Sequence, residues 1–261
     1  MSLPLQLIVR GGWITNRGKI RPNNEDACLT GQAHTQICRE QAVGFELPKG
    51  SPWILAVADG IGGHNAGEQA SQRLIATLAQ HQDVSTAGIT KILHDLNTEF
   101  CTLGRMNPAL AGMGSAVAGL CLGTDGLFAF NVGDARVYQQ ESSSLTQITR
   151  DDSLAQVLED AGQLEPNSVR GKGLHILMQS IGGRYNLQTI DPHIHPLPIN
   201  SSARFLLCTD GLTDMVPPEI MEKIMSQEKD SVASANHLFG AAIAAGGRDN
   251  VTIIVAEMEV V

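Results

Sequence analysis

The stretch SAVAGLCLGTDGLFAFNVGDARVYQQ, residues 115–140, decides the fold class. Apolar runs at 115–122 and 127–134 and the run at 135–140 are separated only by short Gly-containing turns, and LTQIT at 145–149 follows. Such turns are hairpin-like, and strands joined this way argue for antiparallel sheets. Working outward, the pattern predicts earlier strands at 7–15, 25–31 and 53–58, and later ones at 204–211 and 250–260. Ala66, Ala70, Leu74 and Leu78 recur at helical spacing and predict a helix over 66–80; a second is predicted over 88–104 from Ile92, Leu93, Leu96, Phe100 and Leu103. Ser153 is a candidate cap for a helix over 153–164, and further helices are predicted near 217–226 and 231–245. Strands and helices thus come in blocks rather than in βα alternation. The expected class is α+β: two mainly antiparallel sheets with helices outside, a four-layer α-β-β-α sandwich in one domain spanning 1–261. Residues 165–186 are polar and Gly-rich and are expected to form a mobile insert.

The chain has 261 residues, 43% of them hydrophobic, enough for a sizeable core. It lacks an apolar run of about 18 residues, so no membrane-spanning helix is read. Its start, MSLPLQLIVRGG, does not read as a secretory signal. Five cysteines without a C-x-x-C pair fit free thiols in a reducing cytoplasm better than a disulfide or zinc scaffold. The net charge of −9 and the absence of a Lys/Arg block argue against a nucleic-acid partner. A monomer is expected.

Several of the aspartates end apolar runs. ILAVAD ends at Asp59, FAFNVGD at Asp134 and RFLLCTD at Asp210; Asp249 precedes the last strand, and Glu25 and Asp26 open an early one. Two such charges about 4 Å apart repel by about 4 kcal/mol at an effective dielectric of ~20. Either these acids are scattered over the fold or a cation sits among them. All-oxygen ligation of that kind suits Mg²⁺ or Mn²⁺.

The motifs taken together resemble the metal-dependent protein serine/threonine phosphatases of the phosphatase 2C (PPM) family, in its compact bacterial form. RPNNEDA (21–27), VADGIGGH (57–64), VGDARVY (132–138), CTDGLTDMV (208–216) and GGRDNVT (246–252) occur in the family's order, from about residue 13 to 256. The resemblance implies that Asp59 bridges two Mg²⁺ or Mn²⁺ ions and that the Gly60 carbonyl helps hold the second. It implies that Asp210 and Asp249 complete the first, and that Glu25 and Asp26 orient metal-bound waters. Arg21 would grip the substrate phosphate, for which a planar guanidinium is suited. His64 would be the general acid that protonates the leaving Ser or Thr oxygen. Asp134, Asp210 and Asp214 could hold a third ion. The implied substrates are phosphorylated proteins, a cognate Ser/Thr kinase among them, and the 165–186 insert corresponds to the family's flap.

The chain departs from the pattern at two places. Met113-Gly114-Ser115-Ala116 stands where many relatives read M-G-T-T, a change expected to affect packing only. Asp151-Asp152-Ser153 stands where many read D-H-S, so the histidine of that position is missing. A phosphate-loop reading of GIGGHNAG fails for want of a following G-K-[ST]. His193 and His195 alternate on one strand face and are expected at plain surface.

Overall fold

The computed structural model describes residues 7–50, 52–62, 66–164, 176–183, 189–199 and 202–260. Ten residues, Leu7–Asn16, form β1, and short strands β2 (Ala27–Thr30), β3 (Ala33–Thr35) and β4 (Val43–Glu46) follow. WILAVADGI makes β5 (Trp53–Ile61), so the strand does not stop at Asp59 as predicted but carries on for two residues. Helix α1 (Ala66–Gln80) buries Ala70, Leu74, Ile75 and Leu78 on one face. Helix α2 (Thr86–Met106) begins at Ser85, whose hydroxyl accepts the Gly88 N–H, and satisfies one of the free amides of the first turn.

The decisive middle stretch becomes β6 (Gly114–Gly123), β7 (Gly126–Val132), β8 (Arg136–Glu141) and β9 (Ser144–Gln147). Two of the three turns are hairpins as expected, pairing β6 with β7 and β8 with β9. The third is not. Residues 133–135 carry the chain from one sheet to the other, because β7 and β8 lie in different sheets. Gly133 makes the crossing with φ +98°, and a Cβ there would stand 2.5 Å from that of Ala116.

Helix α3 (Leu154–Asp160) is capped by Ser153 as read from the sequence. Of the expected insert, 165–175 and 184–186 lie outside the described residues. The described part is tied down: Leu177 bridges to Ser153, and β10 (Ile181–Gly182) pairs with β6. The chain continues through β11 (His193–Leu197), β12 (Ala203–Cys208), α4 (Asp210–Thr213), α5 (Pro218–Gln227), α6 (Ser231–Ala244) and β13 (Val251–Val260).

One sheet runs β4-β1-β13-β12-β8-β9; the other runs β11-β7-β6-β5-β2-β3, with β10 beside β6. Every strand pairing is antiparallel. Between the sheets lie Trp13, Leu55, Val57, Leu120, Val137, Phe205, Leu207 and Ile254. α1 and α2 cover the outer face of the second sheet through Leu74, Ile75, Leu93 and Phe100. α5 and α6 cover the outer face of the first through Met221, Met225, Leu238 and Ala242. These are the four expected layers. Side chains alternate across a strand, so Asp59 continues the inward face set by Leu55 and Val57. The fold thereby aims one carboxylate into the gap between the sheets.

Candidate metal centre

Asp59 pairs in register with Ala116, and Gly60 with Ser115. The Ser115 hydroxyl donates to the Asp59 carbonyl at 2.8 Å, a bond that a threonine hydroxyl there could equally make. Gly60 permits a close approach of backbones: a Cβ there would lie 2.2 Å from the Gly67 carbonyl oxygen and 2.6 Å from that of Glu25. The Gly60 N–H donates to that same Glu25 carbonyl at 3.1 Å, which fixes Glu25 beside the strand.

The other acids arrive from separate segments. Asp134 sits on the sheet-to-sheet crossing, Asp210 is the first residue of α4, and Asp249 lies in the turn before β13. Together with Arg21, Glu25, Asp59 and Gly60 they line a cavity of about 250 Å³. Asp26 stands behind it, fully buried; its Oδ2 accepts the Thr209 hydroxyl at 2.8 Å. Asp214 closes the α4 turn, its N–H donating to the Asp210 carbonyl at 2.8 Å, and its charge acts on both Asp210 and Asp134. His64 lies outside the described residues.

Among the described residues the only cationic side chain of the lining is Arg21, whose Nη2 donates to Asp249 Oδ2 at 2.6 Å. The remaining charge is uncompensated, and it shows in the acidities. Burial, helped by Asp210, Asp26 and Asp134, pushes the Asp59 carboxyl well above the usual carboxylate range. Burial and Asp210 do the same to Asp134. Asp26 is pushed up to about 8, chiefly by burial, and Asp210 to about 7 by burial and by its neighbours Asp214 and Asp249. Beyond burial, Asp210 raises the Asp59 carboxyl through its charge, as expected of two carboxylates facing one cavity.

These residues fit a divalent cation. Asp26 Oδ1 and Asp210 Oδ1 are buried without a hydrogen-bond partner, the condition that a cation, or a water it orders, relieves. The donor set is all oxygen, which suits Mg²⁺ or Mn²⁺. Among the described residues no three acidic, imidazole or thiol groups already stand as a closed ligand set. The carboxylates converge on a shared cavity instead. A larger cavity, about 420 Å³, lies at the other ends of β1, β12 and β13. There Arg10 and Arg204 both pair with Glu257, at 3.4 and 3.6 Å, so carboxylates do not crowd together as they do in the smaller, acidic one.

Comparison with known proteins agrees with this geometry. The protein phosphatase 2C family profile matches residues 30–237. The chain belongs to that family. The serine/threonine protein phosphatase PstP of Mycobacterium tuberculosis is 31% identical over 258 residues, 97% of this chain but 45% of that protein, so the chain spans about half its length. The serine/threonine phosphatase stp of Listeria monocytogenes is 29% identical, with 94% of each chain covered. In structure the chain is similar to the catalytic domain of PstP crystallised in complex with two manganese ions, with a TM-score of 0.78, 32% identity, and 97% and 99% of the two chains covered.

Within this family site, sequence reasoning passed over three supporting residues. Thr209 donates to Asp26 and also accepts the Thr252 N–H at 3.0 Å. Asn250 accepts the Glu25 N–H at 2.7 Å and donates to the Arg17 and Asn23 carbonyls. Ser71 on α1 donates to the Glu25 carbonyl. Thr209 and Asn250 lie inside CTDG and GGRDN, so a signal was present; Ser71 lies outside every motif. The histidine pair is also not plain surface: both residues are half-buried, and His193 Nε2 lies 2.8 Å from Asp152 Oδ1.

Proposed function

We propose that the chain is a metal-dependent protein phosphatase that hydrolyses phosphoserine and phosphothreonine in protein substrates. The observation that carries this reading is the convergence of Glu25, Asp59, Asp134, Asp210 and Asp249 on one cavity, where Arg21 is the one cationic side chain among the described residues. Asp59, Asp210, Asp249 and the Gly60 carbonyl would hold two Mg²⁺ or Mn²⁺ ions. Asp134 and Asp214, with Asp210, are assigned to a third. Bound there, the ions supply an activated water and charge stabilisation for in-line displacement at phosphorus.

The chain's own groups do the rest. Asp59, on whose carboxyl Asp210, Asp26 and Asp134 all act, would contribute ligand oxygens to the ions. Asp26 and Glu25, held by Thr209 and Asn250, orient water at the edge of the site. Arg21 is half exposed at the mouth and free to swing its planar donor set from Asp249 onto the phosphoryl oxygens of an incoming substrate. Ile61 and Leu177 wall the cavity and limit access of bulk water. His64 is proposed as the proton donor to the leaving Ser or Thr oxygen.

We read residues 1–261 as one phosphatase domain, with the 165–186 insert as its flap. A cytoplasmic setting and a cognate Ser/Thr kinase among the substrates belong to the same proposal. No helix among the described residues is long and apolar enough to cross a membrane. The test is hydrolysis of a phosphothreonine peptide by purified, chelator-treated protein, with and without added Mn²⁺. Phosphate release only with metal supports the reading; release that ignores metal, or none at any metal concentration, overturns it.

A further inference from the structure

Asp152 is buried, with 8% of its surface exposed, yet it does not line the acidic cavity. Three donors from three segments reach its carboxylate. The Gly133 N–H and Gln179 Nε2 both donate to Oδ2 at 2.8 Å, and His193 Nε2 lies 2.8 Å from Oδ1. The main chain of the same residue tightens this grip. The Asp152 N–H donates to the Gly133 carbonyl at 2.9 Å, and its carbonyl accepts the Met178 N–H at 2.7 Å.

Each of these partners leads to the cavity. Gly133 directly precedes Asp134, and Met178 and Gln179 directly follow Leu177, which walls the cavity. One carboxylate therefore ties the turn that presents Asp134 to the wall opposite. Gln179 extends the tie by exchanging two hydrogen bonds with the Asp191 backbone, at 3.0 and 2.9 Å, just ahead of β11. His193 is held on β11 opposite Asn131, and Asn131 Nδ2 donates to the Gly133 carbonyl at 3.3 Å and the Arg150 carbonyl at 2.7 Å. The family's usual histidine is missing from position 152; here an imidazole reaches the same place from a strand 41 residues further on.

A buried carboxylate needs its charge met. The groups facing His193 are Asp152 and Arg150 from the segment before α3, and Asp191 and His195 from its own stretch of chain. The hydrogen bond to Asp152 outweighs burial and Arg150, and raises the His193 pKa above the ordinary imidazole value. The ion pair is thus complete below about pH 6.5 and is lost as pH rises through that raised value.

We propose that Asp152 and His193 are positioning residues that hold the Gly133–Asp134 turn and the Leu177 wall in the register in which Asp134 can serve a cation. This rests on the reading of Asp134 as a cation ligand given above. Asp152 pins the Gly133 peptide from both sides, so the direction of the Asp134 side chain follows from it. His193 keeps the Asp152 carboxylate turned toward Gly133 rather than toward solvent.

The test uses full-length His193→Ala, His193→Gln, Asp152→Asn and Asp134→Ala. Mn²⁺ binding is followed by calorimetry at pH 6 and 8, and turnover of p-nitrophenyl phosphate is followed across a Mn²⁺ titration. Loss of an outer-shell partner commonly costs about ten- to a hundredfold in metal affinity. His193→Ala is expected to weaken the weakest Mn²⁺ site by about tenfold and to lower kcat at fixed Mn²⁺, with KM unchanged. His193→Gln presents an amide donor at similar reach and should recover most of both, without the wild-type difference between pH 6 and 8. Asp152→Asn keeps an acceptor for Gly133 but cannot pair with imidazolium, so its defect should be larger at pH 6. Wild-type Mn²⁺ binding in His193→Ala and Asp152→Asn beside an impaired Asp134→Ala would overturn the inference and leave the cavity reading intact. An unimpaired Asp134→Ala would sink the inference together with the reading of Asp134 as a cation ligand. A lowered melting temperature with unchanged Mn²⁺ affinity would reduce the pair to a structural tie. If Asp152→Asn does not fold, the His193 variants still decide, because that side chain sits on an edge strand and is 24% exposed.

Discussion

Asp210→Asn should make the metal-free protein more stable at pH 8 while abolishing its activity. Asp210 is half-buried at the cavity, and its carboxyl is pushed up to about 7 against an ordinary value of 3.8. Below about pH 4 the group is protonated in both folded and unfolded chains and contributes no difference. As the pH rises from about 4 to 7, the unfolded chain releases the proton and the folded chain keeps it, so stability falls. Above about 7 the loss levels off. About three pH units at 1.36 kcal/mol each give on the order of 4 kcal/mol. That is an upper bound, because Asp210 is only half-buried and solvent screens part of its charge. Asparagine carries no such charge at any pH. At about 2–4 °C per kcal/mol for a chain of this size, the melting temperatures should separate by up to about 16 °C at pH 8 and converge near pH 4–5. The assay is thermal or urea unfolding of chelator-treated wild type and variant at both pH values. Coincident curves at pH 8, or a variant that is less stable there, would refute the reasoning that these carboxyls are held together against their charge. Adding Mn²⁺ should reverse the order, since the wild type gains about 2.7 kcal/mol at one hundred times Kd and the variant loses a ligand.

Arg21→Ala should raise KM for p-nitrophenyl phosphate about ten- to a hundredfold, the equivalent of a lost charge-assisted hydrogen bond of roughly 1.5–3 kcal/mol. Mn²⁺ affinity measured by calorimetry should not fall, because Arg21 competes for Asp249 in the metal-free state; a parallel loss of metal binding would show that Arg21 supports the site itself. Gly60→Ala drives a Cβ to 2.2 Å from the Gly67 carbonyl oxygen and should cost about 1–3 kcal/mol in urea unfolding, together with most of the activity. Asp134→Ala and Asp214→Ala should each retain tight Mn²⁺ binding at the remaining ligands yet lose at least about tenfold in turnover, the scale of a lost electrostatic partner of a developing charge. Unchanged turnover in both would remove the third ion.

The periodic elements were legible before the structure. Leu74 and Leu78 on α1, the Ser153 cap of α3, and β1 and β13 with their long apolar runs stand where the pattern puts them. What escaped had little burial to announce it. β3 and β4 are three and four residues long and mostly exposed, and β10 has only two residues. The crossing at Gly133 read as a hairpin because a turn's residues do not say whether the next strand returns to the same sheet. Asp59, Asp134, Asp210 and Asp249 were found as acids closing or opening apolar strands, a local feature. Their supports were harder to find. The tie from Thr209 to Asp26 spans 183 positions, and that from Asn250 to the Glu25 amide spans 225. His193 looked like surface because nothing near it in sequence shows that Asp152 waits across the gap. Distance along the chain, rather than residue type, set the limit.

The central claim is that the acidic cavity between the sheets binds two cations. Diffraction from crystals grown in Mn²⁺, recorded at the manganese absorption edge, tests it most directly. Two strong anomalous peaks are expected inside the cavity, with the Asp59 carboxylate between them and Asp210 and Asp249 on the first. A cavity without anomalous density at saturating Mn²⁺, or peaks confined to acids elsewhere on the surface, would contradict it.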